Sequence, residues 1–367
     1  MKTEERPVTE SLDGIVRGFM RTQRPIFILG AGAVVRDAHL PAYQLAGITV
    51  GGFFDLDRAR AEALAASCSA ARAFASLEET IEACVHANGV LDVALPPQAI
   101  ASTFERIPAG ATVLLQKPFG RTLEEATALR ALLAARGIRG AVNFQLRHAP
   151  VICALRQLLA TGAIGEVVDL EMRVVCRMPW ETWPFLRGMP RMEILMHSIH
   201  YLDLCRALLG EPSRVWSWAA PHPAAPEIAD ARSTTILAFE SGGTAQRAVV
   251  TTYHHHAAAE GHDASHLRVE GTRGTAVARL GVNLDYPRGR TDTLAWSANG
   301  GAWREEPVAG NWFPHAFAGS MGALLEATSA GHDPVESNFD DAWRTMALVE
   351  TCYKSASGGE RVPELPE

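Results

Sequence analysis

A turn with two glycines is the first group of residues that points to chemistry. Gly30 and Gly32 follow the apolar run 26–29 and precede a helical stretch, while Val35 stands where a third glycine would complete the pattern. Glycines at such a turn let the backbone approach a pyrophosphate at the N-terminus of a helix. Because the turn joins a strand to a helix, it predicts a dinucleotide-binding site.

Asp55 ends the next apolar run, 49–54. A carboxylate at this position accepts hydrogen bonds from the ribose 2′-hydroxyl and repels a 2′-phosphate, so the sequence favours NAD, while Arg58 keeps NADP open. The alternative is that Asp55 only begins the turn Asp55-Leu56-Asp57, which needs no ligand; the strand-turn-helix-strand context favours the cofactor contact. The predicted cofactor contacts are Gly30, Gly32, Ala33, Val34, Asp55, Arg58, Pro96, Gln116 and Lys117.

Lys117 lies in the sequence Gln116-Lys117-Pro118, directly after the apolar run 112–115. The carboxyl ends of parallel strands form the edge where open α/β sheets bind ligands. A lysine buried there has a lowered pKa and exchanges a hydrogen bond with the carbinol oxygen of a substrate. The alternative is a solvated lysine that begins a turn before a proline.

A helical segment over residues 191–204 carries the remaining titratable candidates. At about 100° per residue, four polar side chains share one side of this helix. They are Glu193, His197, His200 and Asp203, and Leu195, Ile199 and Leu202 take the other side. An imidazole titrates near neutral pH and suits removal of the proton left when a secondary alcohol gives up a hydride. A core histidine is the alternative, and the spacing to Asp203 favours the acid/base role for His200.

Metal binding is the competing interpretation of these histidines. His197, His200 and Asp203 have helical spacings that can converge on one ion. That interpretation leaves the glycine turn unexplained, so we expect no metal. The run His254-His255-His256 alternates between the two faces of a strand, which indicates an edge or interface role instead.

Apolar runs alternate with helical stretches from Pro25 onward, the pattern of a parallel sheet covered on both faces. The runs are 26–29, 49–54, 90–95, 112–115 and 141–144, with helices over 58–66 and 123–135. Capping boxes at Ser76 with Glu79 and Thr122 with Glu125 mark two helix starts. The prediction is an α/β domain, residues 25–145, with a Rossmann-type doubly wound parallel sheet.

The second half predicts an α+β domain, residues 146–367, with a large and mostly antiparallel sheet. Its predicted strands are 166–176, 214–218, 233–239, 245–253, 266–270 and 275–280, and its predicted helices are 150–160, 314–329 and 340–355. The proline-rich segment 179–185, with Trp180 and Trp183, suits a loop over the substrate pocket. Residues 1–24 form an N-terminal extension in which 11–21 predicts one short amphipathic helix.

Charge and targeting patterns narrow the class of protein. The net charge is -7, so the basic surface that a nucleic-acid partner requires is not expected. The N-terminus has acidic residues where a signal peptide is basic, and no run is long and apolar enough to cross a membrane. The six cysteines contain no C-x-x-C pair and suit reduced packing residues. We expect a cytoplasmic protein without membrane contacts.

Over about residues 25 to 356, the order and spacing of these motifs resemble the glucose-fructose oxidoreductase/inositol dehydrogenase (Gfo/Idh/MocA) family. The resemblance rests on Gly30-Ala-Gly32, His39-Leu-Pro-Ala-Tyr43, Asp55, Gln116-Lys117-Pro118, Asn143 with Arg147 and Pro150, Gly162 through Gly165-Glu166, and His200-Tyr-Leu-Asp203-Leu. It implies that Lys117 is the catalytic lysine, which holds the nicotinamide ribose and the substrate. It also implies that the open face of the second sheet joins subunits into a homodimer or homotetramer.

Two positions depart from the family pattern. Gln116 replaces the glutamate that precedes the lysine, and Met196 replaces an aspartate four residues before the histidine that His200 matches. Methionine carries no charge and moves no proton. Our hypothesis is that His200 is the acid/base and Lys117 orients the hydroxyl, while Glu193 or His197 replaces the missing carboxylate.

The sequence therefore predicts an NAD(P)-dependent dehydrogenase acting on a sugar, cyclitol or sugar acid. The predicted substrate contacts are Lys117, Asn143, Arg147, Trp183, His197 and His200. A non-catalytic regulatory protein that binds dinucleotide or sugar is the alternative, because loss of the aspartate at position 196 suits it. A metal-dependent hydrolase is a third class.

Overall fold

The computed structural model describes residues 24–241, 244–254, 262–330 and 335–358. The predicted helix over 11–21 and the residues His255 and His256 lie outside these ranges. All six cysteines lie inside them and are free thiols. No helix in the described ranges is long and apolar enough to cross a membrane.

The N-terminal half forms a sheet in which every pairing is parallel, as predicted; it has six strands where the sequence predicted five, because Arg72–Ala73 adds a short edge strand. The spatial order β3-β2-β1-β4-β5-β6 reverses direction beside β1, which is where doubly wound sheets bind ligands. Four of the strands are short apolar runs that are buried along their whole length or nearly so. The strands are β1 (Ile26–Leu29), β2 (Val50–Phe54), β3 (Arg72–Ala73), β4 (Val90–Val93), β5 (Thr112–Leu115) and β6 (Arg139–Val142).

Helices cover both faces of this sheet. Ser76 and Thr122 accept hydrogen bonds from the backbone N–H groups of Glu79 and Glu125, which confirms both predicted caps. A π-helical turn, Val35–His39, precedes the first helix and was not predicted. The helices are α1 (Leu40–Leu45), α2 (Arg58–Ala66), α3 (Leu77–His86), α4 (Pro97–Arg106) and α5 (Leu123–Ala135).

The second half contains an eight-stranded sheet in the order β14-β13-β12-β11-β7-β10-β9-β8. All neighbours are antiparallel except β7 and β10, which confirms a mostly antiparallel sheet. The last two strands were not predicted from the sequence. The strands are β7 (Val167–Val175), β8 (Arg214–Ala220), β9 (Arg232–Ser241), β10 (Thr244–Tyr253), β11 (Ala264–Gly271), β12 (Gly274–Arg279), β13 (Thr293–Ala298) and β14 (Arg304–Glu306).

Four further helices complete the fold: α6 (Pro150–Ala160), α7 (Ile199–Leu209), α8 (His315–Ala330) and α9 (Phe339–Ser357). The chain returns to the first sheet in α8, where Phe317 and Met321 pack in one core cluster with Ile28. α9 bridges the two halves, because Trp343 donates to Thr127 in α5 and Ser355 accepts from the backbone of β8. The two halves therefore pack against each other through α8 and α9, and the segments that carry the candidate residues lie between the two sheets.

Candidate active site

The glycine turn after β1 is shaped for close backbone approach. Gly30 has a φ of 101°, and a Cβ there would lie 2.4 Å from the carbonyl oxygen of Ala94, so a larger residue does not fit. A Cβ on Gly32 would meet no atom within 4 Å, which means that Gly32 borders open space. The helix begins directly after Gly32, with Ala33 and Val34 in its first turn. This N-terminus fits a pyrophosphate.

Asp55 braces the same turn from the end of β2. Its Oδ2 accepts a hydrogen bond of 2.7 Å from the backbone N–H of Ala31, and its Oδ1 accepts one of 2.8 Å from Asp57. Asp55 therefore begins a local turn, as one interpretation of the sequence held. A carboxylate has about four lone-pair sites, so acceptor capacity remains for a ribose hydroxyl.

A cleft of about 330 Å³ lies over this turn. It is lined by Ala31, Gly32, Ala33, Arg36, Arg60, Ala63, Leu64 and Thr182. Arg36, Arg60 and Thr182 were not predicted, and only Thr182 had a signal, because it lies in the loop expected to cover the pocket. Arg58 instead contacts Glu62 at 2.7 Å on an exposed face of α2, and Pro96 is exposed at the start of α4. Taken together, the turn and the cleft fit a bound dinucleotide.

Gln116 belongs to a buried network that the sequence analysis missed. Its side-chain oxygen accepts from the backbone N–H of Lys117 at 2.9 Å, and its amide nitrogen lies 3.3 Å from Nε2 of His39. His39 Nδ1 lies 2.7 Å from Asp92 Oδ2, which also accepts from the Tyr43 hydroxyl at 2.7 Å. The amide donates to His39, so Nδ1 carries the hydrogen that is donated to Asp92. The available signal was the single aspartate inside the apolar strand β4.

Lys117 extends from the end of β5 towards the second domain, where its Nζ donates a 2.5 Å hydrogen bond to the carbonyl oxygen of Met196. Burial of Nζ lowers the pKa of Lys117 to about 8. Both observations argue against the alternative of a solvated surface lysine. The family pattern has an aspartate at position 196. Here the main-chain oxygen of Met196 accepts the hydrogen bond from Lys117.

The helix that carries the histidines is not uniformly α-helical. Ile194–Ser198 forms a π-helical turn before α7 begins. Hydrogen bonds in a π-helix join residues five apart, so the advance per residue is smaller than the assumed 100°. The prediction that all four polar side chains share one side is therefore wrong. Glu193 and Asp203 contact different partners, on different neighbouring elements.

Asp203 forms a buried ion pair with Arg147. Both guanidinium contacts are 2.6 Å, and Thr345 donates to the same carboxylate at 2.8 Å. Arg147 also contacts Asp341 at 2.6 Å, and its side chain is 4% exposed. The structure thus commits Arg147 to carboxylates rather than leaving it free for a substrate. The expected support of His200 by Asp203 is likewise wrong, because the carboxylate faces arginine.

His200 lies beside Lys117 in the buried interior, with the indole of Trp312 at 5.8 Å between ring centroids. Its Nδ1 is buried and has no hydrogen-bond partner within the described ranges. Burial, followed by the charge of Lys117, lowers the pKa of His200 well below its usual value. His200 is therefore a neutral imidazole near pH 7, the form that accepts a proton.

Glu193 lies behind the helix, against the second sheet. Ser198 donates to its Oε1 at 2.7 Å, Ser233 donates to its Oε2 at 2.5 Å, and His254 Nε2 lies 3.2 Å from Oε1. The predicted edge or interface role of His254 is wrong, because its side chain is 2% exposed. The ring of His197 lies 4.7 Å from that of His254. His254 thus lies between Glu193 and His197, which borders the site.

Two other predicted substrate contacts lie at the margins of the site. Asn143 follows the carboxyl end of β6, is fully buried, and has no partner for either amide atom in the part of the chain that the structure describes. Trp183 is half-buried and packs on Tyr286 at 4.8 Å between ring centroids. The loop around it forms two short 3₁₀ turns, Trp180–Thr182 and Pro184–Leu186. In the described ranges, no three His, Cys, Asp or Glu side chains are grouped to hold a metal ion.

Comparison with known proteins agrees with this geometry. The family model described as an oxidoreductase family with an NAD-binding Rossmann fold matches residues 25–144, and the model of the GFO/IDH/MocA C-terminal domain matches residues 152–277. A D-apiose dehydrogenase from Paraburkholderia graminis is 27% identical over 91% of this chain and 88% of its own length. A levoglucosan dehydrogenase from Pseudarthrobacter phenanthrenivorans is 27% identical over 40% of each chain.

Solved structures share the fold. An oxidoreductase from Agrobacterium radiobacter, in complex with NAD+, L-tartaric acid and magnesium, has a TM-score of 0.74 at 21% identity and covers 92% of this chain and 98% of its own. A putative myo-inositol dehydrogenase from Sinorhizobium meliloti has a TM-score of 0.70 at 20% identity and covers 91% of this chain and 98% of its own. With its NAD-binding Rossmann domain and its dehydrogenase relatives, the chain belongs to the Gfo/Idh/MocA family of oxidoreductases and is a nicotinamide-dependent dehydrogenase.

Proposed function

We propose that this dehydrogenase oxidises a secondary alcohol of a sugar or a related polyol, with NAD as the preferred cofactor. The observation that carries the proposal is the position of Lys117 at the carboxyl edge of the parallel sheet, where its Nζ donates to the Met196 carbonyl in the helix turn that leads to the buried His200. Sugar dehydrogenases among the relatives support this substrate class.

In this proposal, Lys117 donates a hydrogen bond to the carbinol oxygen and His200 accepts the hydroxyl proton. NAD, when bound, would supply the acceptor for the hydride of the carbinol carbon. Before substrate binds, Nζ of Lys117 donates to the carbonyl oxygen of Met196. Binding of the substrate therefore replaces one oxygen acceptor of the lysine with another. We assign Asn143, Trp183 and His197 to the substrate pocket, and we withdraw Arg147 because its guanidinium is already paired.

The preference for NAD rests on Asp55. A carboxylate at the end of β2 repels a 2′-phosphate, and the exposed pair of Arg58 with Glu62 leaves that arginine partly neutralised. Gly30, Gly32, Ala33 and Val34 hold the pyrophosphate in this proposal, and Pro96 and Gln116 complete the edge. Arg36 and Arg60 are additional cationic residues of the cleft.

The test is an absorbance assay at 340 nm with NAD and NADP in parallel, against sugars, inositols and sugar acids. Reduction of NAD by a member of the panel supports the proposal and names the substrate class. Lys117→Ala should abolish that turnover while leaving NAD binding, measured by calorimetry, mostly intact. An active Lys117→Ala enzyme would remove the lysine from the mechanism.

We also propose that the chain forms a homodimer or homotetramer through the face of the second sheet opposite its helices. Trp216 and Trp218 on β8 point to that face and are 50% and 42% exposed, and Ile236 lies opposite Trp216 on β9. Exposed aromatic residues of this size favour association. Light scattering after size exclusion measures the mass, and a monomer at micromolar concentration would contradict the proposal.

A further inference from the structure

Glu193, His254 and His197 form a chain of side chains that ends beside Lys117 and His200; the first two are buried and His197 is half-buried. Glu193 Oε1 lies 3.2 Å from His254 Nε2, and the His254 ring lies 4.7 Å from the His197 ring. The charge of Lys117 acts in turn on His197. The three elements that meet here are the π-helical turn, α7 and the end of β10.

His254 is held in a site that stabilises its charged form. Its Nε2 faces the carboxylate of Glu193, and its Nδ1 lies 3.4 Å from Cys176 Sγ at the end of β7. Burial opposes the charge, but Cys176 and Glu193 outweigh it and raise the pKa of His254 to about 10. Burial raises the pKa of Glu193, and the hydrogen bonds from His254, Ser233 and Ser198 overcome that effect and lower it.

His197 is in the opposite situation. Among the described residues its Nδ1 is buried without a partner, and the indole of Trp180 packs edge-on to it at 6.3 Å. Burial, then the charges of His254 and Lys117, lower the pKa of His197 well below its usual value. Two neighbouring imidazoles therefore take different charge states, because one has a carboxylate partner and the other lies near the cations His254 and Lys117.

We propose that His254 is a positioning residue: a fixed imidazolium, anchored by Glu193, that keeps His197 neutral and places positive potential around the carbinol oxygen. This inference rests on the proposed function. In the absence of an aspartate at position 196, the hydroxyl is activated by stabilising the developing alkoxide rather than by an additional base. His197 then serves the substrate as a neutral hydrogen-bonding group, and His200 takes the proton.

The proposal fixes the direction of each pKa change. Among the described residues, the titratable groups that face His254 are Glu193, Cys176 and His197. His254→Gln removes the cation next to His197, so the pKa of His197 rises. Glu193→Gln removes the carboxylate, so the pKa of His254 falls from about 10.

Nitrogen-15 NMR of the histidine rings in the full-length, NAD-bound protein measures these charge states without turnover. We expect both His254 nitrogens to remain protonated at pH 8 and His197 to remain neutral at pH 6. His86→Gln, at the exposed end of α3, is the matched control and should leave both signals unchanged. A neutral His254 at pH 7, or a His197 titration unmoved by His254→Gln, overturns the proposal.

Kinetics supply the second readout. His254→Gln should lower kcat at least tenfold with little change in KM, and should move the acid limb of the kcat profile to higher pH. Glu193→Gln should give the same loss, and it serves as the test if His254→Gln does not fold. Wild-type kcat and pH profile in a folded His254→Gln enzyme reject the proposal. If no sugar is turned over at all, the proposed function fails, and the NMR result still decides the charge state of His254.

Discussion

Restoring the family carboxylate at position 196 should raise the pKa of Lys117. The carbonyl oxygen of Met196 lies 2.5 Å from Lys117 Nζ, so a carboxylate on the same residue would lie roughly 5 Å from Nζ. At an effective dielectric of about 20, that distance is worth about 3 kcal/mol, which corresponds to about two pKa units. Met196→Asp should therefore move the Lys117 pKa from about 8 to about 10.

The assay is the pH dependence of kcat/KM with NAD and the best substrate of the panel. The limb near pH 8 in the wild-type enzyme should lie near pH 10 in Met196→Asp, because the ammonium form gains an anionic neighbour. Met196→Asn is the matched control: it has the same shape without the charge, and its limb should stay near pH 8. If both variants shift equally, the effect is steric, and the inference that Lys117 controls this limb is refuted.

Two other predictions concern residues whose partners the structure identifies. Arg147→Met should destabilise the protein by about 3–5 kcal/mol, because it leaves Asp203 charged and buried, and Arg147→Met with Asp203→Leu should recover much of the loss in urea unfolding; equal stability of the single and double variants would contradict this reasoning. Asp55→Ala should raise the KM for NAD about tenfold and leave that for NADP unchanged or lower, measured at 340 nm, because the carboxylate selects the free ribose hydroxyl. An unchanged KM for NAD would mean that Asp55 only holds the backbone of Ala31 in place.

The parallel sheet was predictable because most of its strands are short, continuous apolar runs. β1 and β5 have the predicted bounds, and the glycine turn follows β1 as expected. β13 and β14 lack that signal: β13 depends on pairing with β12, and the short, polar β14 depends on pairing with β13. Their formation is decided by tertiary contacts rather than by local pattern.

The site was less predictable, for a geometric reason. A helical wheel assumes one rotation per residue, and the π-helical turn Ile194–Ser198 breaks that assumption. Glu193 then reaches β9 and β10 through Ser233 and His254 instead of facing the pocket. The ion pair of Asp203 with Arg147 joins residues 56 positions apart, so no short-range pattern reports it.

Two buried carboxylate–imidazole pairs border Lys117 without touching its ammonium group. Asp92 reaches the lysine only through His39 and Gln116, and that path ends on the backbone N–H of Lys117 rather than on Nζ. Glu193, the other carboxylate, is separated from the pocket by His254 and His197. Each carboxylate fixes the orientation of a histidine, and its negative charge acts on that histidine rather than on Lys117. Gln116 and Met196 suit the same arrangement because neither side chain adds a negative charge. A carboxylate at either position would pair with the ammonium group of Lys117, which the site leaves to the substrate oxygen.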